Sequence, residues 1–217
     1  TIPVKYNTNR FRSSLEAWGK DLRFWMRFPT RQGEVVTVKT AVSAVSSDGA
    51  KLNMQELEGK TFASLKAEGE KLWEGQLSKF KIEATPEQRE TFYTSVYHAF
   101  LHPFIFQDAD GKFRELDKNI GQAEGFTNYT VFSLWDTYRA LHPLFNLVQR
   151  DINADIVNSM LAHYDKSVEH MLPVWSFYGN ETWCMIGYHA VSVIADAIMK
   201  DVKGFDYERA YEAMKTT

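Results

Sequence analysis

The sequence changes its periodicity near residue 47, and this change limits the folds open to the chain. Before that point large apolar residues alternate with other residues, from Leu22 to Phe28 and again from Glu34 to Val45. A period of two is typical of half-buried strands, so we expect two paired antiparallel strands here. After Ser46, apolar residues recur at the spacing of amphipathic helices. The chain is therefore predicted to be mainly α with a short N-terminal β part.

Two capping motifs and the spacing of apolar residues predict where the helices lie. Thr85-Pro86-Glu87-Gln88 is a capping box with proline at the first helical position, and Asn153 is predicted to cap a later helix. A long loop is predicted from Phe104 to Asn128, with a turn at Asp108-Ala109-Asp110-Gly111. The predicted helices cover residues 62–80, 86 to a stop at Pro103, 133–142, 153–170, 182–200, and the C-terminus from Asp206.

Composition and charge limit the classes of partner. With 44% hydrophobic and 24% charged residues among 217, the chain has the composition of a soluble globular protein. A net charge of −3 predicts no nucleic-acid partner. No apolar run approaches the roughly 18 residues of a transmembrane helix, so we expect no membrane partner. The chain begins with neither an initiator methionine nor a leader, which predicts that it is processed or cut from a longer protein.

The first candidate site is the stretch Trp135-Asp136-Thr137-Tyr138-Arg139. Asp136 and Arg139 are three positions apart and would share one helical face. A carboxylate accepts, and a guanidinium donates, the hydrogen bonds that neighbouring sugar hydroxyls require, while Trp135 offers a stacking plane. The alternative interpretation is structural, because Ser133-x-x-Asp136 also fits a capping box with aspartate in place of glutamate. Local sequence leaves both interpretations open.

Glu181 is the second candidate. It lies within Gly179-Asn180-Glu181-Thr182-Trp183, a predicted junction between a loop and a helix. The helix dipole favours an ionised carboxylate in a first turn, which is the structural interpretation. The functional interpretation is a ligand-binding or general-acid carboxylate.

Two further motifs have metal-binding character. His98 and His102 are four positions apart, a spacing that binds zinc in metallopeptidases, but the motif lacks the glutamate after the first histidine. Zinc also needs at least a third protein ligand, and the sequence indicates none. Asp108-x-Asp110-Gly111 lacks the later ligands of an EF-hand loop, so a turn is predicted there instead.

Five motifs, in order along the chain, resemble the family-92 glycoside hydrolases, the calcium-dependent exo-acting α-mannosidases. They are FYTSVYHAFLHP, DADGKFR, YTVFSLWDTYRALHPL, LPVW and GNETWCMIGYHAVSVIADA. The early segment VKTAVSAVSSDGAKLNMQEL resembles the junction between that family's β-sandwich and its helical domain. The resemblance implies that residues 1–46 are the C-terminal strands of an N-terminal β-sandwich. Residues 47–217 would then be linker helices and the first half of an (α/α)6 barrel catalytic domain.

The resemblance also implies an activity and a location. Family members remove terminal α-mannose from mannose-containing oligosaccharides, of N-glycan or mannan type, by inversion and with calcium as cofactor. A periplasmic or secreted location is expected. The stretch matching residues 135–139 lines the terminal-mannose subsite, so Asp136, Arg139 and Trp135 are expected to bind substrate. Glu181 is expected to support this site, with a general-acid role as its alternative.

The family's catalytic acid, catalytic base and most calcium ligands are expected on motifs that this sequence does not reach. The isolated chain is therefore expected to be inactive and to need the rest of its parent chain as a partner. Two functions of other classes stay open. One is a non-catalytic helical module whose aromatic loops bind another protein, and the other is a zinc hydrolase using His98 and His102.

Overall fold

A computed structural model describes residues 3–6, 9–12, 19–25 and 27–217 and divides the chain into two compact units, residues 1–38 and 39–217. The first unit contains strands β1 (Pro3–Tyr6), β2 (Asn9–Arg12) and β3 (Arg23–Phe24). They form an antiparallel sheet in the order β2-β1-β3, in which Val4 pairs with both Phe11 and Phe24. A β part at the N-terminus is therefore present.

The two strands predicted from alternation differ from those observed. Of the segment 22–28, only β3 is a strand, and Met26 lies outside the described residues. The second predicted strand, at 34–45, is wrong, because those residues form no regular structure and Val35 and Val42 are each 86% exposed. A strand requires a neighbour for its backbone groups and cover for its apolar face. Within the described ranges, residues 34–45 pair with no other strand and most of them are exposed, while the carbonyls of Val42, Ala44 and Val45 accept from side chains of Asn53 and Arg114.

The second unit is mainly helical, as predicted. Its helices are α1 (Ser47–Met54), α2 (Phe62–Leu77), α3 (Pro86–Ala99), α4 (Leu134–Thr137), α5 (Leu141–Val148), α6 (Arg150–Lys166), α7 (His189–Met199) and α8 (Tyr207–Thr216), with a 3-10 turn at Gln55–Leu57. The capping box before α3 is confirmed: Thr85 Oγ1 accepts from the Gln88 amide, and Gln88 Oε1 accepts from the Thr85 amide. None of the helices in the described ranges could span a membrane.

Three short strands interrupt the predicted loop at 104–128, and three more follow it along the chain. Strands β4 (Phe104–Ile105), β5 (Lys112–Arg114), β6 (Ile120–Gln122), β7 (Tyr129–Thr130), β8 (Phe132–Ser133) and β9 (Trp175–Ser176) form the antiparallel pairs β4-β7, β5-β6 and β8-β9. The predicted turn is confirmed, since the Gly111 amide donates to the Asp108 carbonyl at 2.8 Å. These strands hold the connections between helices against the core.

The core lies among α5, α6, α7 and α8. Its fully buried side chains include Ile156, Met160 and Leu161 of α6 and Ile194 of α7. Asn153 does not cap this region, contrary to prediction: α6 begins earlier, at Arg150, and Asn153 is buried within it. There the Asn153 side chain forms hydrogen bonds with other buried polar side chains. These bonds explain why Asn153 lies inside the helix and not at its start.

Two further helix predictions are wrong in their limits. The helix expected at 133–142 is interrupted after Thr137 and resumes at Leu141 as α5. The helix expected at 182–200 begins only at His189, because Trp183 and Met185 have left-handed φ values of 53° and 69°. Such values interrupt a right-handed helix. Residues 182–188 are therefore an exposed loop rather than a buried helical face.

Candidate functional site

The candidate site is built where strand β8 runs into the single helical turn α4. Val131, just before β8, has a φ of 67°, a rare value for a β-branched residue, and thereby turns the chain sharply between β7 and β8. Leu134 then points into the core with no exposed surface, whereas Trp135 is 37% exposed and Asp136 is exposed. One buried anchor thus presents the neighbouring side chains to solvent.

Asp136 does not act as a capping residue. No side chain caps α4, so the capping-box interpretation of Ser133-x-x-Asp136 is wrong. The Ser133 hydroxyl instead donates to Asp136 Oδ2 at 2.5 Å. The same hydroxyl accepts from the indole nitrogen Nε1 of Trp175 at 2.7 Å. Asp136 is therefore held through one of its two carboxylate oxygens, Oδ2, by the Ser133 side chain.

Arg139 lies on the same surface but does not pair with Asp136. Its guanidinium carbon is 4.9 Å from the Trp135 ring centroid and 5.1 Å from that of Tyr138. One of its nitrogens, Nη2, donates to the Trp135 carbonyl at 3.1 Å. In the described residues no ion pair joins Asp136 and Arg139 within 4.0 Å. The cluster therefore offers a carboxylate acceptor, guanidinium donors and an aromatic face together.

Trp175 reaches this cluster from a tight hairpin. Residues Phe177 and Asn180 exchange two backbone hydrogen bonds of 2.8 and 3.0 Å across the two-residue tip Tyr178-Gly179. The tip residues have φ values of 49° and 68°, which is the geometry of a type I′ turn. Because β8 and β9 are in register, Ser133 lies opposite Trp175. The hairpin thereby brings a residue 42 positions away into the site.

Gly179 is required at the hairpin tip for two separate reasons. Its φ is left-handed, and a Cβ there would lie 2.6 Å from the Arg114 carbonyl oxygen. Gly179→Ala is expected to lower the free energy of unfolding by about 2–4 kcal/mol, as judged by chemical denaturation. Gly125→Ala is the matched control, since Gly125 has a φ of 75° with nothing within 4 Å of the added Cβ. It should cost only about 1 kcal/mol, and equal losses for both variants would contradict the argument.

Glu181 does not lie in a helix, so its predicted place in a first turn is wrong. It pairs with Ser176 in an isolated bridge, and its side chain is only 6% exposed. Its oxygen Oε2 accepts from the Val174 amide at 2.9 Å, and Oε1 accepts from the amides of Trp175 and Trp183 at 2.9 and 3.0 Å. The carboxylate thus joins both sides of the hairpin.

His163 of α6 lies behind Glu181, with Nε2 at 3.5 Å from Oε2. Burial lowers the pKa of His163 to about 4, against the attraction of the Glu181 charge, so the imidazole is neutral at pH 7. Sequence reasoning did not identify His163, because only the tertiary fold brings α6 against this hairpin.

His189 and Tyr138 form the inner wall of the same region. Their rings stack with centroids 4.3 Å apart and planes inclined by 13°. Nε2 of His189 is buried and has no hydrogen-bond partner among the described residues. It lies against Gly187, where a Cβ would approach it to 2.6 Å. The missed residues of the site are thus Ser133, His163, Trp175 and His189. The sequence offered two signals for them: the aromatic segment that contains Trp175, and the Ser133-x-x-Asp136 spacing, which also fits a capping box.

The predicted zinc pair is not assembled. Helix α3 ends at Ala99, so His98 and His102 do not share a helical face. The rings instead pack on neighbouring aromatics, His98 on Tyr97 and His102 on Phe104. The zinc-hydrolase alternative therefore loses the geometry on which it depended.

Calcium takes six to eight oxygen ligands, so a calcium site needs several carboxylate or carbonyl oxygens close together. No group of three His, Cys, Asp or Glu side chains comes together in the described ranges. Asp108 is buried at 4% exposure and bonded to Ser43 and Asn53, while Asp110 pairs with Lys112. The described residues thus do not fit a complete calcium site, and no catalytic step is assigned to the ion here.

The chain is similar to known proteins of one family. Residues 49–217 match the Glycosyl hydrolase family 92 catalytic domain. No curated protein matches the chain. The whole chain is similar to the family GH92 α-mannosidase BT3965 from Bacteroides thetaiotaomicron, with 69% identity and a TM-score of 0.96, and it spans about 30% of that protein's length.

Two other solved structures are similar. BT3965 in complex with mannoimidazole has the same identity and TM-score, with 100% of this chain and 29% of that chain covered. The inverting mannosidase BT2199 from Bacteroides thetaiotaomicron VPI-5482 is 30% identical with a TM-score of 0.72, over 80% of this chain and 24% of its own. The domain match and the 69% identity together show that this chain belongs to glycosyl hydrolase family 92.

Proposed function

We propose that this chain supplies part of the substrate site of an inverting exo-acting α-mannosidase. Its substrates would be terminal α-mannosyl linkages in oligosaccharides of the N-glycan or mannan type. The observation that carries the proposal is the exposed cluster of Trp135, Asp136 and Arg139 in a chain 69% identical to a family GH92 α-mannosidase. The complex of that relative with mannoimidazole supports a mannose-like ligand.

Each residue of the cluster has a role that follows from its chemistry. Asp136 accepts hydrogen bonds from sugar hydroxyls, because Ser133 occupies only its Oδ2 atom. Only one guanidinium nitrogen of Arg139 bonds to the Trp135 carbonyl, so its other N–H groups can donate to neighbouring sugar hydroxyls. Trp135 covers an apolar face of the sugar ring. Together they hold the terminal sugar in a fixed orientation for the reaction.

Inversion needs a carboxylic acid to protonate the leaving oxygen and a carboxylate to activate water, about 6.5–9.5 Å apart. We assign neither role to Asp136. Glu181 is also a poor general acid, since three backbone amides already bind its two oxygens and its side chain is 6% exposed. The acid and base are proposed to lie on the rest of the parent chain.

Several finer features are also proposals, and the family resemblance supports them. Residues 47–217 would form linker helices and the first half of an (α/α)6 barrel, and residues 1–46 would end a β-sandwich. Calcium would be the cofactor, held mostly by residues outside this chain. A periplasmic or secreted location belongs to the same expectation.

The test is an assay of the full-length gene product that includes this sequence. On α-linked mannobiose we expect release of mannose with inversion, observed by NMR as β-mannose before mutarotation. A chelator should lower the rate at least tenfold, and added calcium should restore it. Absence of mannose release would contradict the proposed function, whereas unaffected release in chelator would contradict only the calcium dependence.

A protein-contact surface is the second candidate function. The loop 182–188 exposes Trp183, Met185, Ile186 and Tyr188 at 49–76% of their surfaces. Contiguous exposed apolar side chains mark contact surfaces, here most simply for the rest of the parent chain. Tight binding of another protein, unaffected by mannoimidazole, would favour this function over sugar binding.

A further inference from the structure

We propose that Glu181 is a positioning residue for Asp136, and that it acts through Trp175 and Ser133. The inference rests on the proposed function, in which Asp136 binds the sugar. It assigns Glu181 neither proton transfer nor contact with substrate. Glu181 holds the backbone amide of Trp175, and the side chains of Trp175, Ser133 and Asp136 continue the series by hydrogen bonds to the exposed carboxylate.

Glu181 first fixes the backbone of the hairpin. Its two oxygens accept from the amides of Val174, Trp175 and Trp183, at 2.9 to 3.0 Å. Because the carboxylate is 6% exposed, water competes little with these bonds, and charge-assisted bonds in such surroundings are strong. The backbone of Trp175 is therefore held at the level of Ser133, its partner in the β8-β9 pair.

Trp175 then fixes the direction of the Ser133 hydroxyl. An indole nitrogen only donates, so the bond of 2.7 Å from Nε1 makes the Ser133 oxygen an acceptor. The single hydroxyl hydrogen of Ser133 is thereby free to point to Asp136 Oδ2, at 2.5 Å. The indole hydrogen of Trp175 and the hydroxyl hydrogen of Ser133 thus each have one defined acceptor.

Asp136 needs such support because its own element is weak. Helix α4 is a single turn without a side-chain cap, and Asp136 is exposed on it. An exposed aspartate on a short turn samples several rotamers, and a binding group must be held to within about 0.5 Å to act well. The bond from Ser133 selects one rotamer and leaves Oδ1 for the sugar.

The decisive variants remove one link each. Trp175→Phe keeps an aromatic ring but removes the indole donor, and Ser133→Ala removes the hydroxyl. Glu181→Gln places an amide NH2 group against backbone amides that need an acceptor. Ser133→Thr restores the hydroxyl. Trp73→Phe is the matched control, since Trp73 contacts Tyr97 in the pair α2-α3 and not the site.

Calorimetric titration of the full-length gene product with mannoimidazole separates positioning from folding. Trp175→Phe, Ser133→Ala and Glu181→Gln should each raise Kd about tenfold with an unchanged binding stoichiometry. Ser133→Thr and Trp73→Phe should stay within threefold of wild type. The double variant Glu181→Gln/Trp175→Phe should bind as weakly as either single variant, because both act through one link. A lower stoichiometry at wild-type Kd would show a merely structural role and overturn the proposal.

NMR of the indole group distinguishes this proposal from the proposed function. The Nε1–H signal of Trp175, identified by its loss in Trp175→Phe, should shift when Asp136 is changed to asparagine, because Ser133 couples the two. If wild type binds no mannoimidazole, the proposed function fails, and this signal alone decides whether the series exists. A wild-type Kd in Glu181→Gln would overturn the role of Glu181, and an unshifted signal, or wild-type Kd in both Trp175→Phe and Ser133→Ala, would overturn the series itself.

Discussion

Asp136→Asn in the full-length gene product is expected to lower kcat/KM on α-linked mannobiose by about 10²- to 10³-fold. Asparagine keeps the size of the side chain but replaces one acceptor oxygen with a donor. Either Ser133 or the sugar then meets an amide NH2 group, so the site contains an unmatched polar contact. Steady-state kinetics with a known concentration of active enzyme would measure the loss.

Asp110→Asn is the control for this substitution. Asp110 is also an exposed aspartate, but it lies in the Asp108–Gly111 turn before β5 and pairs with Lys112. Its variant should keep kcat/KM within about twofold, because the turn is outside the proposed sugar site. Near-normal kinetics of Asp136→Asn would remove Asp136 from that site. A large drop in melting temperature for Asp136→Asn alone would instead give the carboxylate a structural role.

Local signals predicted well where the physics is local. The Thr85 capping box involves residues three positions apart, and both of its hydrogen bonds are present. The turn at Asp108–Gly111 likewise closes through a bond within four residues. These features depend on the chain near them and little on the rest of the fold.

Predictions failed where distant contacts decide the outcome. The apolar residues of 182–188 have helical spacing, yet left-handed φ values at Trp183 and Met185 keep them in a loop. Asn153 is a good cap by composition, but its hydrogen bonds within the core place it inside α6. Periodicity counts apolar positions and contains no information on which distant surface covers them.

In the candidate site, too, contacts between chain neighbours were predicted and contacts between distant residues were not. The sequence placed Trp135, Asp136 and Arg139 together because they are neighbours along the chain. It did not predict that Trp175 would hold Ser133, since this contact depends on the pairing of β8 with β9, which are far apart along the chain. Supporting residues of a site are therefore harder to predict than the residues that they support.

Acid is expected to lower the free energy of unfolding through the protonation of His142. His142 is 1% exposed, and burial lowers its pKa to about 4, against a side-chain bond with Asn153. The folded state therefore keeps the imidazole neutral, while the unfolded state binds a proton below its ordinary pKa of 6.5. The stabilisation is complete above pH 6.5 and is lost as the pH falls toward 4. Its loss amounts to about 3 kcal/mol.

His142→Gln isolates this contribution, since glutamine can still bond to Asn153 but does not titrate. Chemical denaturation from pH 7 to pH 4 should show a smaller loss of unfolding free energy for this variant than for wild type, by about 2–3 kcal/mol. His98→Gln, at an exposed position, should keep the wild-type profile. All carboxylates are common to the three proteins, so their titration cancels in the comparison. Identical profiles for His142→Gln and wild type would mean that His142 has the same pKa in the folded and unfolded states, which would contradict the expected effect of its burial.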